Sequence, residues 1–428
     1  RMPGAGSWIA WKGNPAATSG ERQRGLTAAA CVLSMVAMAE VPAGRISGIA
    51  ALLACHIISG KVSKRAAMSP QRLRLPGLDA ARALALLGMV MVHVGPNYGD
   101  DWPGWLYALP HGRAAIGFVV LAGISVSLMA GGSDSGGRSA TVVRLVWRAC
   151  VLLPVGLWLQ TLNIAALVIL PTYAALFVFA VGGLWLSRRV LLAVVLLLAA
   201  VGPVVGLALQ VHTSVAFGYG SLEWGDSVTE ILLGLAVSGP YPLLSWAAPF
   251  ALGLLLGRCH LERLATQWSL CIGGALVSAT AIGTAYGLRV ALGTPDYLVG
   301  WNNLLTMEPH SQMPLWLLSA TGIAVAVIGG CLLLARILGR AMGPLAAAGR
   351  LTLSYYVGHL LLLAGWPALG ESETAAQALP VVAVLAVFAV VFAVIWLRLV
   401  RWGPLETLLE WPGRRGGQLA WEMVARRG

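Results

Sequence analysis

Residues 74–94 read RLPGLDAARALALLGMVMVHV. Charge sits at the front, in Arg74, Asp79 and Arg82. An apolar run follows, and His93 stands near the far end. About 20 apolar residues suffice to carry a helix across a bilayer, so this stretch predicts a membrane span. Arg82 and His93 lie 11 positions apart, close to three turns, so they share one helix face about 16 Å apart along the axis. Asp79 stands three residues before Arg82, a spacing that suits a helix cap, a first-turn anion or a pair with the guanidinium. Ionisable side chains inside a bundle are costly unless wet or paired, which makes this face the first place to look for a site.

The remainder of the chain has the same character. Of 428 residues, 58% are hydrophobic and 11% charged. The mean hydropathy is +0.79. These values lie outside the soluble globular range. Apolar runs near 79–95, 113–131, 142–161, 164–186, 190–209, 239–257, 268–290, 313–335, 351–369 and 377–397 predict an all-α polytopic membrane protein. About ten to eleven transmembrane helices would form one bundle. A shorter apolar stretch at 228–238, followed by Gly239, Pro240 and Pro242, predicts a half-helix. Broken backbone at membrane depth must be buried in protein or line a wet cavity.

Three regions are distinguished. Residues 1–68 are an N-terminal extension that fits one or two extra membrane segments, a signal-like segment, or sequence upstream of the true start, and no function is read from it. Residues 69–412 form the membrane domain, and residues 413–428 a basic tail.

The formal net charge is +12. Arginines fall in alternate connections, as in GRSATVVRLVWR (137–148), SRR (187–189), RCHLERL (258–264) and RILGRAMGPLAAAGR (336–350). The other connections hold Asp100, Asp101, Glu223, Asp226, Asp296, Glu308, Glu371 and Glu373. The positive-inside rule places the basic side, and with it the C-terminus, in the cytoplasm. The charge is read as topology, not as a footprint for nucleic acid. Six cysteines at 31, 55, 150, 259, 271 and 331 have neither CxxC nor metal-site spacing, so neither a disulfide framework nor a metal is expected. Phosphate-loop, HExxH and GxSxG motifs are absent from the sequence.

Other polar residues compete for roles. His111 and Arg113 open the second span from its outer end. Arg113 there is either snorkelling or paired, with Asp100, Asp101 or an anionic substrate as candidate partners. Gly112, Gly117 and Gly123 mark close helix packing. Glu308 and His310, beside Pro309, are read as lining an outer entrance or as plain loop sequence. His359 falls inside the ninth run, with Tyr355 four residues earlier on the same face. Its two readings are a structural hydrogen bond and a second site residue. Arg82, Arg144 and Arg148 on the basic side could grip phosphate through the guanidinium fork.

Several segments, taken in order, carry a resemblance. RLPGLDAARALALLGMVMVH followed by GRAAIGFVVLAGISVSL resembles the opening of the heparan-alpha-glucosaminide N-acetyltransferase catalytic-domain family. PYPLLSWAAPFALGLLLGR, EPHS, LTLSYYVGH and GPLETLLEW resemble its YeiB-like (DUF418/DUF1624) branch within the transmembrane acyltransferase superfamily. The likeness covers roughly residues 72–412. One departure is Ala83, where relatives often have glycine. The resemblance implies a bacterial plasma-membrane enzyme that takes an acyl group, acetyl foremost, from cytosolic acyl-CoA to a hydroxyl or amine. The acceptor would be a cell-envelope sugar, a lipid head group or an exported metabolite. It implies His93 as catalytic base or acyl-accepting residue. His111, Arg113, Glu308, His310 and His359 complete the candidate catalytic set, and Asp79, Arg82, Arg144 and Arg148 the donor-binding set. Membrane lipid and a second copy of the chain are the implied partners. The competing expectation is a multi-span transporter or flippase with no covalent chemistry.

Overall fold

The computed structural model describes residues 74–410 apart from 97–103, 105, 106, 132–136, 163, 165, 213–221 and 295–299. The N-terminal extension of residues 1–68, the tail of residues 413–428, and Asp100 and Asp101 lie outside the described residues.

The quoted stretch forms helix α1, Pro76–Val94. Proline at the first helical position costs nothing there, because that N–H has no intrahelical partner. Leu75 is the cap residue and contributes no side-chain hydrogen bond. Asp79 therefore does not cap the helix. It sits one turn in, and its carboxylate is committed to arginines instead. At the other end Gly95 turns extended, and its N–H closes the last turn on the Met91 carbonyl.

Twelve further helices follow among the described residues: α2 (Arg113–Gly131), α3 (Gly137–Gln160), α4 (Leu170–Gly183), α5 (Arg188–His212), α6 (Val228–Leu233), α7 (Leu243–Leu256), α8 (Leu264–Leu292), α9 (Pro314–Leu338), α10 (Gly343–Gly349), α11 (Thr352–Gly365), α12 (Ala375–Leu399) and α13 (Pro404–Leu409). No strand occurs among them. Among the described residues, seven helical stretches are long and apolar enough to cross a membrane, and eight if one bent pair counts as a single span. The chain is thus a multi-pass membrane protein, and the described residues do not confirm the expected ten to eleven spans. The shortfall is at α4 and α11. Each has 14 residues, about 21 Å of helix, against a hydrocarbon core of about 30 Å. Pro171 delays the start of α4. Helix α11 starts within one residue of its run but ends at Gly365, before a 3-10 turn that opens on Pro367.

The bent pair is the half-helix read at 228–238. A capping box of Ser227 and Glu230 starts α6, and a π-helical turn over Gly234–Ser238 ends it. The chain then enters α7 at a bend of 62°.

Helices α2 and α7 cross at the centre. A methyl group on Gly123 would stand 2.2 Å from the Phe250 carbonyl oxygen, and one on Gly253 2.2 Å from that of Val120. Only hydrogen fits at either position, so the two backbones touch. Such small-residue crossings hold membrane helices together where lipid removes the hydrophobic drive. Trp246, Phe250 and Trp316 are fully buried around this crossing. Helix α1 packs against α2, α9, α10, α11 and α12.

Gly123→Ala is expected to destabilise the protein by about 1–3 kcal/mol through overpacking. Gly206→Ala, whose added methyl meets open space, should leave stability unchanged or raise it. Thermal unfolding of the two variants in detergent distinguishes them.

Candidate functional site

His93 and His359, 266 residues apart in sequence, meet inside the bundle. His93 Nδ1 and His359 Nε2 are 2.9 Å apart, and the two rings are nearly coplanar, with 6° between their planes. His359 is buried. Its Nδ1 lies 3.1 Å from the Tyr355 carbonyl oxygen. A carbonyl only accepts, so His359 Nδ1 carries a proton and donates. In a neutral ring Nε2 is then the bare acceptor. His93 Nδ1–H must donate to it, which leaves His93 Nε2 with a free lone pair. The network thus assigns both tautomers. Tyr355 takes part through its backbone and not through its ring, whose hydroxyl turns away to the Ala389 carbonyl. The ring beside His359 is Tyr356, edge-on at 5.4 Å.

His111 and His310 lie within electrostatic reach of His93. His111 Nδ1 donates to the Tyr107 carbonyl at 3.0 Å. His310 sits in a box of rings, with Tyr241, Trp316 and Trp246 at centroid distances of 5.5, 6.1 and 6.3 Å. Its backbone has φ 61° and that of Gln312 has φ 65°, left-handed values that are uncommon for such residues and collect at functional sites. The loop is fastened by Gln312, which accepts from the Trp246 indole at 2.6 Å and donates to the Pro240 carbonyl at 2.9 Å, at the bend between α6 and α7. His310 Nδ1 is buried without a hydrogen-bond partner. Enclosure among the rings, and then nearby His111, bring its pKa down to about 4. Glu308 is half-buried in the same loop, with its backbone N–H on the Thr306 hydroxyl.

At the basic end, the Asp79 carboxylate receives Arg82 and also Arg74, at 2.9 Å. Arg82 donates its other terminal nitrogen to the Ser125 hydroxyl at 2.7 Å. Arg148 pairs with Glu410. Arg82 and Arg148 both line a partly open cavity of about 180 Å³, together with Met89, Tyr173 and Tyr356. The Tyr173 hydroxyl and Arg148 Nε are buried without a partner there. Met89 and Tyr356 precede His93 and His359 by four and three residues. The cavity therefore stops one helical turn below the histidine pair, and Tyr356 is the wall common to both.

Not every expected residue converges. Arg144 does not line this cavity. The Arg113 guanidinium turns back through one terminal nitrogen on the carbonyls of Leu109 and Ala108, at 3.2 and 3.4 Å, while its candidate partners Asp100 and Asp101 lie outside the described residues. Ser125, Gln312, Tyr356, Glu406 and Glu410 were not singled out from sequence. Glu406 accepts from the first backbone N–H groups of α11 and from the Ser354 hydroxyl at 2.5 Å. The two glutamates did carry a signal, as acidic residues on the side of the chain that is otherwise basic. No group of three metal-ligating side chains is placed to hold an ion among the described residues.

Because His310 stays neutral when folded, the unfolded chain takes up a proton first as the pH falls. Stability is fully present above about 6.5, the ordinary histidine value, and declines toward pH 4. His310→Asn, which tolerates the left-handed backbone, should flatten this part of the dependence of the unfolding temperature between pH 7 and pH 5.

Residues 274–412 match the model of a family described as a protein of unknown function, DUF418. The matched segment is roughly a third of the chain. It contributes His310, His359, Glu406 and Glu410 to the arrangement above, while His93 and Arg82 precede it. No curated protein matches the chain.

Proposed function

We propose that this protein is a membrane acyltransferase with His93 as its general base. It would move an acyl group from cytosolic acyl-CoA to a hydroxyl or amine of an envelope sugar, lipid head group or exported metabolite. The observation that carries this reading is the relay from His93 to His359 to the Tyr355 carbonyl. It leaves His93 Nε2 unprotonated and holds the ring from behind, as the orienting group of a catalytic triad does. Histidine suits proton transfer near neutral pH.

The donor's fit is partial. A cavity of about 180 Å³ is smaller than the pockets that enclose drug-sized ligands. It admits a slender arm and no nucleotide. Arg82 and Arg148 at its basic end would hold phosphate, and the arm would extend toward Tyr356. The nucleotide would remain at the arginine-rich face, cytoplasmic by the charge rule. Acyl-CoA supplies the activated thioester. His93 Nε2 takes the proton of the acceptor as its oxygen or nitrogen bonds to the acyl carbon. The carbon–sulfur bond breaks, and His93 returns the proton to the departing thiolate. His359 Nε2 accepts from His93 throughout and acts as a positioning residue. The approach requires Tyr356 to swing aside.

A transporter reading has one observation in its favour. The helix pair α6 and α7, broken with a 62° bend, resembles the discontinuous helices around which transporters build sites.

His93→Gln in folded, purified protein is expected to lower acyl-CoA-dependent CoA release, measured with an envelope extract as acceptor source, by about 10²- to 10⁴-fold. His359→Gln, which keeps an acceptor, should retain more activity than His359→Leu. Undiminished release by His93→Gln rejects the assignment. Uptake of an extract component into vesicles without any CoA release would favour transport.

A further inference from the structure

Helices α11 and α12 are consecutive in the chain, and both lean on α1. Between them lies a second cavity of about 550 Å³, three times the volume of the first. Its walls are almost wholly hydrocarbon. Leu86, Leu361, Leu385 and Phe388 are typical, and Gly358 opens its side. The cavity runs between two levels. One is the level of Ala348, Pro404 and Leu405, at the basic end of α1. The other is the level of Val90 and His359. Leu361 and Phe388 are also exposed on the outer surface of the bundle, so the crevice opens toward lipid.

The basic end of this crevice carries an excess of positive charge. Arg350 follows α10 directly and donates to the Arg401 carbonyl at 3.2 Å. Arg74 is close to both Asp79 and Arg350. Partial burial lowers the Arg350 pKa from its ordinary value, Arg74 and Arg401 push the same way, and Asp79 opposes them. The one nearby carboxylate of Asp79 is already shared by Arg74 and Arg82. Glu406 is spent on the start of α11. Half-buried Arg350 and exposed Arg401 therefore have no carboxylate of their own among the described residues.

We infer that the crevice is a binding site for one anionic phospholipid of the adjoining leaflet, with a hydrocarbon chain between α11 and α12 and its phosphate at Arg350 and Arg401. The chemistry matches at both ends. An apolar slot at membrane depth takes a chain from the bilayer, and basic pockets between helices at the membrane face bind anionic head groups. The chain exchanges one hydrocarbon surrounding for another, so the selectivity comes from the arginines, each of which adds a head-group preference that a zwitterionic lipid does not satisfy. The chain would end beside His359, so the lipid would brace the helix that positions His93. This inference does not depend on the acyl-transfer reading.

Native mass spectrometry of the full chain, with equimolar dipalmitoyl phosphatidylglycerol and dipalmitoyl phosphatidylcholine added after delipidation, tests it. One tightly retained phosphatidylglycerol is expected, in clear excess over phosphatidylcholine. Arg350→Gln and Arg401→Gln should each reduce that excess about fivefold. Gly358→Phe, whose added carbon meets open space and whose ring fills the slot, should remove the retained lipid. Gly358→Leu serves as the smaller plug should the phenylalanine variant fail to fold. Retention of no lipid, equal retention of the two lipids, or an adduct insensitive to both the arginine and the Gly358 changes would overturn the proposal.

Discussion

Helix α1 carries Asp79, Arg82 and His93 along a membrane span, and hydrocarbon offers none of them a partner. The protein has to supply every one. That requirement explains why α1 is central and not peripheral. Asp79 and Arg82 neutralise each other, and Ser125 of α2 takes the second arm of the guanidinium. His93 is satisfied by His359 of α11. A helix with three such obligations must touch several neighbours, and α1 packs on five other α-helices among the described residues. Gly349 shows how tightly this is enforced. A methyl group there would collide with the Asp79 backbone carbonyl at 1.7 Å, so α10 can press directly on α1.

Much of this was readable in the residues, because its cause is periodic or compositional. The apolar runs gave α2 at its observed bounds and most other helices to within a few residues. The spacing of Asp79, Arg82 and His93 gave the polar face. The break after residue 238 followed from Gly239, Pro240 and Pro242. Two runs were longer than the helices they contain. Apolar composition around 164–186 and 351–369 does not say that the first helix starts only at Leu170, beside Pro171, or that the second ends at Gly365, ahead of Pro367. Hydropathy counts residues, whereas spanning depends on continuous helical length.

What sequence could not give is pairing across the chain. His93 and His359 were each suspected, but no spacing rule joins residues 266 positions apart. Ser125 has no local mark, since one serine in a helix is usually a packing hydroxyl. Arg113 was suspected because arginine is rare on its side, and it proves to fasten its own turn through two carbonyls. A buried ionisable group announces that a partner exists. The fold alone says which group that partner is, and whether it lies in the backbone.

The relation between the histidine pair and the cavity beneath it places the demand for motion on one side chain. Arg82 and Arg148 are fixed by ion pairs, so the basic end of the cavity is rigid. His93 is fixed through His359 and a backbone carbonyl, so the far end is rigid too. Between them Tyr356 rests edge-on against His359 and lines the cavity. Among the described residues its hydroxyl has one hydrogen bond, accepted from the Ile169 N–H at 3.2 Å, at the start of α4. That bond lies at the long end of the normal range for N–H···O, and Ile169 precedes the helix instead of lying within it. On the proposed reading, a passage from the arginines to His93 would run past the Tyr356 ring, which is packed in the core and held by that bond to Ile169.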